Sequence, residues 1–236
     1  MPRPIATLVL AALLLAASGS PVGAALARAA EPPPLPPCTT ADDPAPLREY
    51  PQWRSTFLDT RFRVNRRYVP PNLVATSKAG TNDGHRVRLV VIDDLGALVR
   101  AARRAGITIR VESAYRSFRH QREIYDYYVA ILGPEKGALR AARPGHSEHQ
   151  LGTSLDIADT RGAHDWLADR AWRFGFLVSY PPGERPVSCY RSEPWHVRYV
   201  GRERAAAVHV SGLVLRAWLW QHVVAPSLSS AGGRGV

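Results

Sequence analysis

A chain of 236 residues holds one ordinary domain with some residues to spare. Its 31 basic and 20 acidic residues give a formal net charge of +11, and every basic residue except Lys78 and Lys136 is arginine. The arginines are scattered and do not interleave with aromatic residues, which speaks against a nucleic-acid platform; an anionic polymer partner, or a plain arginine-rich composition, accounts for the charge instead.

The N-terminus reads "MPRPIATLVLAALLLAASG": Arg3, then an apolar run from Ile5 to Ala17, then small residues. "ALA" (25–27) and "ARA" (27–29) fit the small-x-small pattern of secretory cleavage, so residues 1–29 are expected to be a signal peptide. The run falls short of the ~20 apolar residues of a membrane span, although an uncleaved anchor is the alternative. No cysteine follows it to take a lipid, and no later segment is long and apolar enough to cross a bilayer. Loss of Arg3 and Arg28 with this leader leaves +9.

A secreted, cell-wall or periplasmic location suits the two cysteines, Cys38 and Cys189. If bonded they close a loop of about 150 residues, which stabilises by roughly 5 kcal/mol in the chain-entropy view. The alternative is two free thiols, one of them in a flexible arm.

Residues 30–47 are Pro-rich and read as an extended tether. The folded unit is expected over 48–222, starting near Tyr50–Trp53, with a flexible tail over 223–236. Residues 87–105 read as a helix: Leu89, Ile92, Leu95, Leu98 and Val99 recur at helical spacing, and Gly106 stops it. "ITIRVES" (107–113) alternates and predicts a half-buried strand. A second helix covers 117–132, ended by Gly133-Pro134. "GTSLDIA" (152–158) alternates again. A helix over 163–175, a strand over 176–180, a turn-rich loop over 181–186, a strand over 195–200 and a last helix over 202–222 follow. Mixed elements without a βαβ repeat make the class α+β.

Two polar clusters stand out, "PGHSEHQLGTSLDIAD" (144–159) and "EPWHVRY" (193–199). They supply the His and carboxylate ligands of a catalytic zinc, which takes three protein ligands and leaves a fourth position open. His149, Asp156 and His196 make the best trio. Seven steps of straight strand span about 23 Å, so His149 and Asp156 meet at one ion only if the chain folds back between them. Gly152 is where it can. Asp159 is an odd number of steps from Asp156 and is disfavoured by strand alternation. His146 stays open on geometry alone. Glu193 is the candidate general base, provided Pro194 bends the chain enough to bring it beside His196. The chain has no Ser-x-x-Lys, His-Glu-x-x-His or Gly-x-Ser-x-Gly. Cys189 as a nucleophile is the weaker option, since Cys38 is available to pair with it.

"SAYRSFRHQ" (113–121), "PGHSEHQLGTSLDI" (144–157) and "EPWHVRYVG" (193–201) resemble the motifs of the VanY-type zinc D-alanyl-D-alanine carboxypeptidases, and the likeness runs in order from about 50 to 215. The resemblance implies the fold shared with Hedgehog signalling domains, a small antiparallel sheet flanked by helices with the zinc site on the sheet. It implies His149, Asp156 and His196 as ligands of one zinc ion, with His146 at a variable position, and Glu193 as base. Arg116 matches the family arginine that steadies the oxyanion. Ser113 and Gln121 match pocket-lining positions, and Tyr115, Ser147 and Trp195 are grouped with them as substrate contacts. Thr153-Ser154 departs from the usual apolar pair and predicts a polar contact beneath the site. The implied activity is removal of the terminal D-alanine from peptidoglycan stem peptides. L,D-carboxypeptidase, endopeptidase and a non-catalytic zinc-containing wall-binding module are the alternatives, the last opposed by the intact Glu193 and Arg116.

Overall fold

The computed structural model describes residues 33–46 and 52–232. The expected signal peptide lies outside them. The described residues build an α+β unit around a four-stranded antiparallel sheet. Its strands are β5 (Val111–Ser113), β6 (Ser154–Ile157), β7 (Phe176–Val178) and β8 (His196–Tyr199), in the order β5-β6-β8-β7. Two further pairs lie outside this sheet: β1 (Asp43–Pro44) runs parallel to β2 (Phe62–Arg63), and β3 (Leu73–Ala75) runs antiparallel to β4 (Arg86–Arg88).

The sheet separates core from site. Leu155 pairs with Val197, and both side chains enter the main apolar cluster. Their neighbours Asp156 and His196 also pair, and alternation turns them to the other face. Helix α1 (Ile92–Arg104) packs Leu95, Leu98, Val99 and Ala102 into the core beside Leu167 of helix α4 (Ala163–Arg170). No helix among the described residues is long and apolar enough to cross a membrane.

Helix α2 (Phe118–Leu132) begins where the Ser117 hydroxyl accepts from the His120 N–H, and it pairs with helix α3 (Pro134–Arg140). The only fully buried side chain of α2 is Gln121, which donates to the Ala142 carbonyl at 2.6 Å. A short helix α5 (Arg185–Ser188) precedes Cys189.

Three of the expected elements need correction. The helix expected from 87 starts at Ile92: Arg86–Arg88 pair with β3, and Leu89, counted as a core residue, is exposed. Alternating Arg and Val serve a strand as well as a helix, and pairing decided the matter. The last helix is broken. Gly212, at φ +68°, ends α6 (Arg202–Ser211), and α7 (Leu215–Leu219) starts afresh. Residues from 223 onward are not a loose tail at their start, because Val224 and Ala225 are fully buried and α8 (Ala225–Gly232) follows.

The Pro-rich arm is extended but not free. Cys38 is disulfide-bonded to Cys189 across a separation of 151 residues, and Ala45 is buried. Trp220 Nε1 donates to the Pro33 carbonyl at 2.7 Å, and Arg216 Nη2 donates to that of Pro36 at 2.8 Å. Proline lacks a donor, but its carbonyl accepts like any other.

Candidate metal centre

The chain reaches the site through two turns. After the Pro144-Gly145 bend a single 3₁₀ turn carries Glu148 and His149, and Gly152 at φ +70° reverses it into β6. A Cβ on Gly152 would stand 3.0–3.1 Å from Pro70, Arg88 and Leu73, so space and backbone both require glycine there. The reversal brings His149 Nε2 to 3.2 Å from Asp156 Oδ1. A second turn, closed by the His196 N–H on the Glu193 carbonyl at 3.0 Å with Pro194 inside it, lets Glu193 and His196 line one cleft.

His196 Nδ1 lies 3.1 Å from the same Asp156 Oδ1, and the ligand atoms of His149, Asp156 and His196 lie within 4.8 Å of one another. The remaining ring nitrogens are engaged elsewhere. His149 Nδ1 donates to the Ala114 carbonyl at 2.7 Å, and His196 Nε2 donates to Glu148 Oε2 at 3.0 Å. His149 therefore turns the lone pair of Nε2 toward a carboxylate oxygen, an arrangement that needs a cation between them. Ligands about 2.0–2.2 Å from a tetrahedral ion stand roughly 3.3–3.6 Å apart, close to the spacing here. The donor set and geometry fit a zinc ion.

The electrostatics of His149 agree: burial, then the Arg116 charge, holds it at about 4, so the ring is neutral. Burial also acts to lower His196, but hydrogen bonds to Asp156 and Glu148 outweigh it and raise the ring to about 9, so a cation bound here must displace the proton from Nδ1. Burial opposes ionisation of Glu148, yet Arg198 and His196 bring it down to about 2. Arg198 is itself buried and also donates to the carbonyls of Trp53 and Thr56. Burial raises Glu193 to about 7 against the lowering charge of His196, with Asp156 adding to the rise.

The surrounding cleft has a volume of 810 Å³. Ser113, Gln121, Ser147, Trp195, Arg116 and Glu193 all line it; Tyr115 does not, and its N–H is bonded to the Arg86 carbonyl. Arg116 Nη2 lies 3.5 Å from Asp156 Oδ2, while its Nε is buried with no partner. Gln121 Oε1 is likewise a buried acceptor without a donor. Thr153 and Ser154 make no polar contact beneath the site: both hydroxyls are buried and unbonded.

His146 is buried away from the trio. Its Nδ1 lies 2.8 Å from the Asp59 carbonyl and its Nε2 3.0 Å from Asp42 Oδ1. Asp159 faces His164 instead. Sequence reasoning missed Glu148 and Arg198, whose carboxylate and guanidinium meet at 2.8 Å under the histidines. The signal was present in "SEHQ" and "HVRY", as two charged residues inside otherwise buried runs.

The family model described as VanY, D-alanyl-D-alanine carboxypeptidase, matches residues 84–202. A D-alanyl-D-alanine carboxypeptidase of Enterococcus faecalis is 33% identical over 172 residues, covering 66% of this chain and 64% of that protein. The chain spans 52% of another curated relative, YodJ of Bacillus subtilis, at 32% identity. It therefore spans between half and two thirds of the length of these relatives.

Among solved structures, VanYB in complex with D-alanine-D-alanine matches with a TM-score of 0.64 and 31% identity, over 72% of this chain and 99% of that one. A mutant VanY of the VanB-type resistance cassette, solved with Zn(II), matches with a TM-score of 0.63 at 31% identity, over 71% and 99%. The LD-carboxypeptidase LdcB matches at 0.64 and 27%, over 70% and 85%.

Proposed function

Because this chain belongs to the VanY D-alanyl-D-alanine carboxypeptidase family, we propose that it is a zinc-dependent peptidase that removes the terminal D-alanine from peptidoglycan stem peptides. One observation carries the reading: a His-Asp-His ligand set, a raised carboxylate and a guanidinium with a spare donor share one cleft.

His149 Nε2, His196 Nδ1 and an Asp156 oxygen would hold a zinc ion. When bound, it would supply Lewis-acid polarisation of the scissile carbonyl and lower the pKa of water at the site. Glu193 takes the proton of the attacking water and returns it to the departing amine. A carboxyl lifted to about 7 by burial suits both halves of that transfer. Arg116 presents its donors to the negative charge that gathers on the carbonyl oxygen. Glu148 fixes the His196 ring so that Nδ1 faces inward. Ser113, Gln121, Ser147 and Trp195 contact the peptide.

The cleft extends along α2 and α3 past Ile124, Tyr128 and Arg140. At 810 Å³ it is near the top of the range for ligand sites, about 300–1,000 Å³, which suits a longer peptide better than a bare dipeptide. The enzyme works outside the cytoplasm, a reading supported by the Cys38–Cys189 bond and the apolar N-terminal run.

The test is to incubate the chain with muramyl pentapeptide and tetrapeptide, with and without chelator, and to weigh the products. Chelator-sensitive loss of one alanine from the pentapeptide alone is expected. Loss from the tetrapeptide would move the enzyme to the L,D class, to which LdcB belongs by name. No cleavage by the zinc-bound chain would leave a binding module.

A further inference from the structure

A second cavity shares no lining residue with the catalytic cleft. Its volume is 540 Å³, and Arg54, residues 200–204, Ala207 and Trp218 bound it. Three of these side chains are arginines and one, Glu203, is acidic. Arg202 has its counter-ion, with Nε 2.7 Å from Asp94 Oδ1. Neither Arg54 nor Arg204 makes a salt bridge among the described residues. Arg204 Nη1 donates to the neutral Ser55 hydroxyl at 3.0 Å.

Each guanidinium lies against an aromatic ring, Arg54 exposed at the rim and Arg204 half-buried. Arg54 lies over the Trp53 ring at 4.6 Å from its centroid, and Arg204 over Trp218 at 5.8 Å. Such contacts favour one placement of each fork and leave N–H edges for another acceptor. Gly201 admits Arg54 to the start of α6, since a Cβ there would stand 3.0 Å from Arg54 Nε.

That helix start has no side-chain cap. Its first backbone bond is Ala205 N–H to the Gly201 carbonyl, so the N–H groups of Arg202, Glu203 and Arg204 have no acceptor within the helix. Burial, and then the charges of Arg198 and Arg54, hold Arg204 below its usual range, with Glu203 opposing them only in part. Gathered positive charge of this kind is unfavourable until an anion joins it.

We propose that this cavity is a binding site for a phosphate-type oxyanion, carried on a phosphomonoester or phosphodiester. Two guanidinium forks and the free N–H groups of a helix start offer more donors than the two oxygens of a carboxylate accept. The oxygens of a phosphoryl group match them better. The site stands independently of the peptidase reading.

The probe is sn-glycerol 3-phosphate, titrated calorimetrically into the full chain in phosphate-free buffer. Saturable binding is expected, weakened about tenfold or more by Arg54→Gln and by Arg204→Gln, as loss of a charge-assisted hydrogen bond predicts. Arg66→Gln, an exposed arginine elsewhere, should change nothing. Arg204→Lys keeps the charge without the fork and should weaken binding by less than Arg204→Gln; it serves if Arg54→Gln folds poorly. Thermal midpoint and peptide hydrolysis should be unaltered in these variants. Polyglycerol phosphate and vesicles of phosphatidylcholine with phosphatidylglycerol then identify the source. Variant-sensitive binding to the first means a soluble polymer, and to the second a lipid headgroup. No saturable binding of any probe, or equal weakening by Arg66→Gln, overturns the site.

Discussion

Glu148 holds His196 through Oε2, 3.0 Å from Nε2, and holds Arg198 through Oε1, 2.8 Å from Nη1. One buried carboxylate thus orients a ring of the candidate metal site and neutralises a guanidinium. The Ser179 hydroxyl donates to Oε2 as well, at 2.7 Å, so Glu148→Gln places an amide donor against at least one of three donors. Zinc affinity should drop about 10–100-fold in competition with a chelator. Glu148→Ala strands Arg198 and should cost about 3–5 kcal/mol in urea unfolding. Unchanged zinc affinity in both variants would remove Glu148 from the metal centre.

Glu193 touches no ligand atom through its carboxylate, so its role separates cleanly from binding. Glu193→Gln should lower kcat by about 10²–10⁴-fold while the chain keeps one zinc. Elemental analysis beside single-substrate kinetics checks this. A variant that cleaves normally would end the assignment as base.

Removal of the Cys38–Cys189 bond, by Cys38→Ser with Cys189→Ser, should destabilise the chain by about 2–5 kcal/mol. Denaturation midpoints of the oxidised and doubly substituted chains give the comparison. Because Cys189 stands four residues before Glu193, turnover should also fall with zinc retained.

Acid should weaken the fold through His146. Burial holds this ring below its ordinary 6.5, and the Asp42 hydrogen bond only partly offsets that. As pH falls below about 6.5 the unfolded chain takes up the proton first, and stability declines toward the lowered folded value. Asp42 works the same way at lower pH: its hydrogen bond to His146 depresses it below 3.8, and the stability it lends above 3.8 is lost as pH drops through that depressed value. His146→Gln should flatten the loss between pH 7 and pH 5 in urea titrations. An identical slope would assign the acid sensitivity elsewhere.

The sequence made the site legible where local geometry ruled. Alternation in β6 put Leu155 in the core and Asp156 on the site face, and Gly152 marked the reversal. Long-range partners left little trace. Glu148 and Arg198 are 50 residues apart, so neither spacing nor composition joins them. The arm misled because proline content signals extension and says nothing about what accepts or donates along it. The helix expected over 202–222 hid a break, since residues on either side of Gly212 were apolar enough to continue the pattern.

The arm also sets an order of events. Its first described residues are fixed by groups far along the chain: Pro33 by Trp220, Pro36 by Arg216 and Cys38 by Cys189. During synthesis these partners emerge after nearly everything between them. The arm must wait for partners made 151 to 187 residues later, and such distant pairings slow folding. A recombinant chain begun at residue 48 would keep every candidate zinc ligand and still lack this clasp.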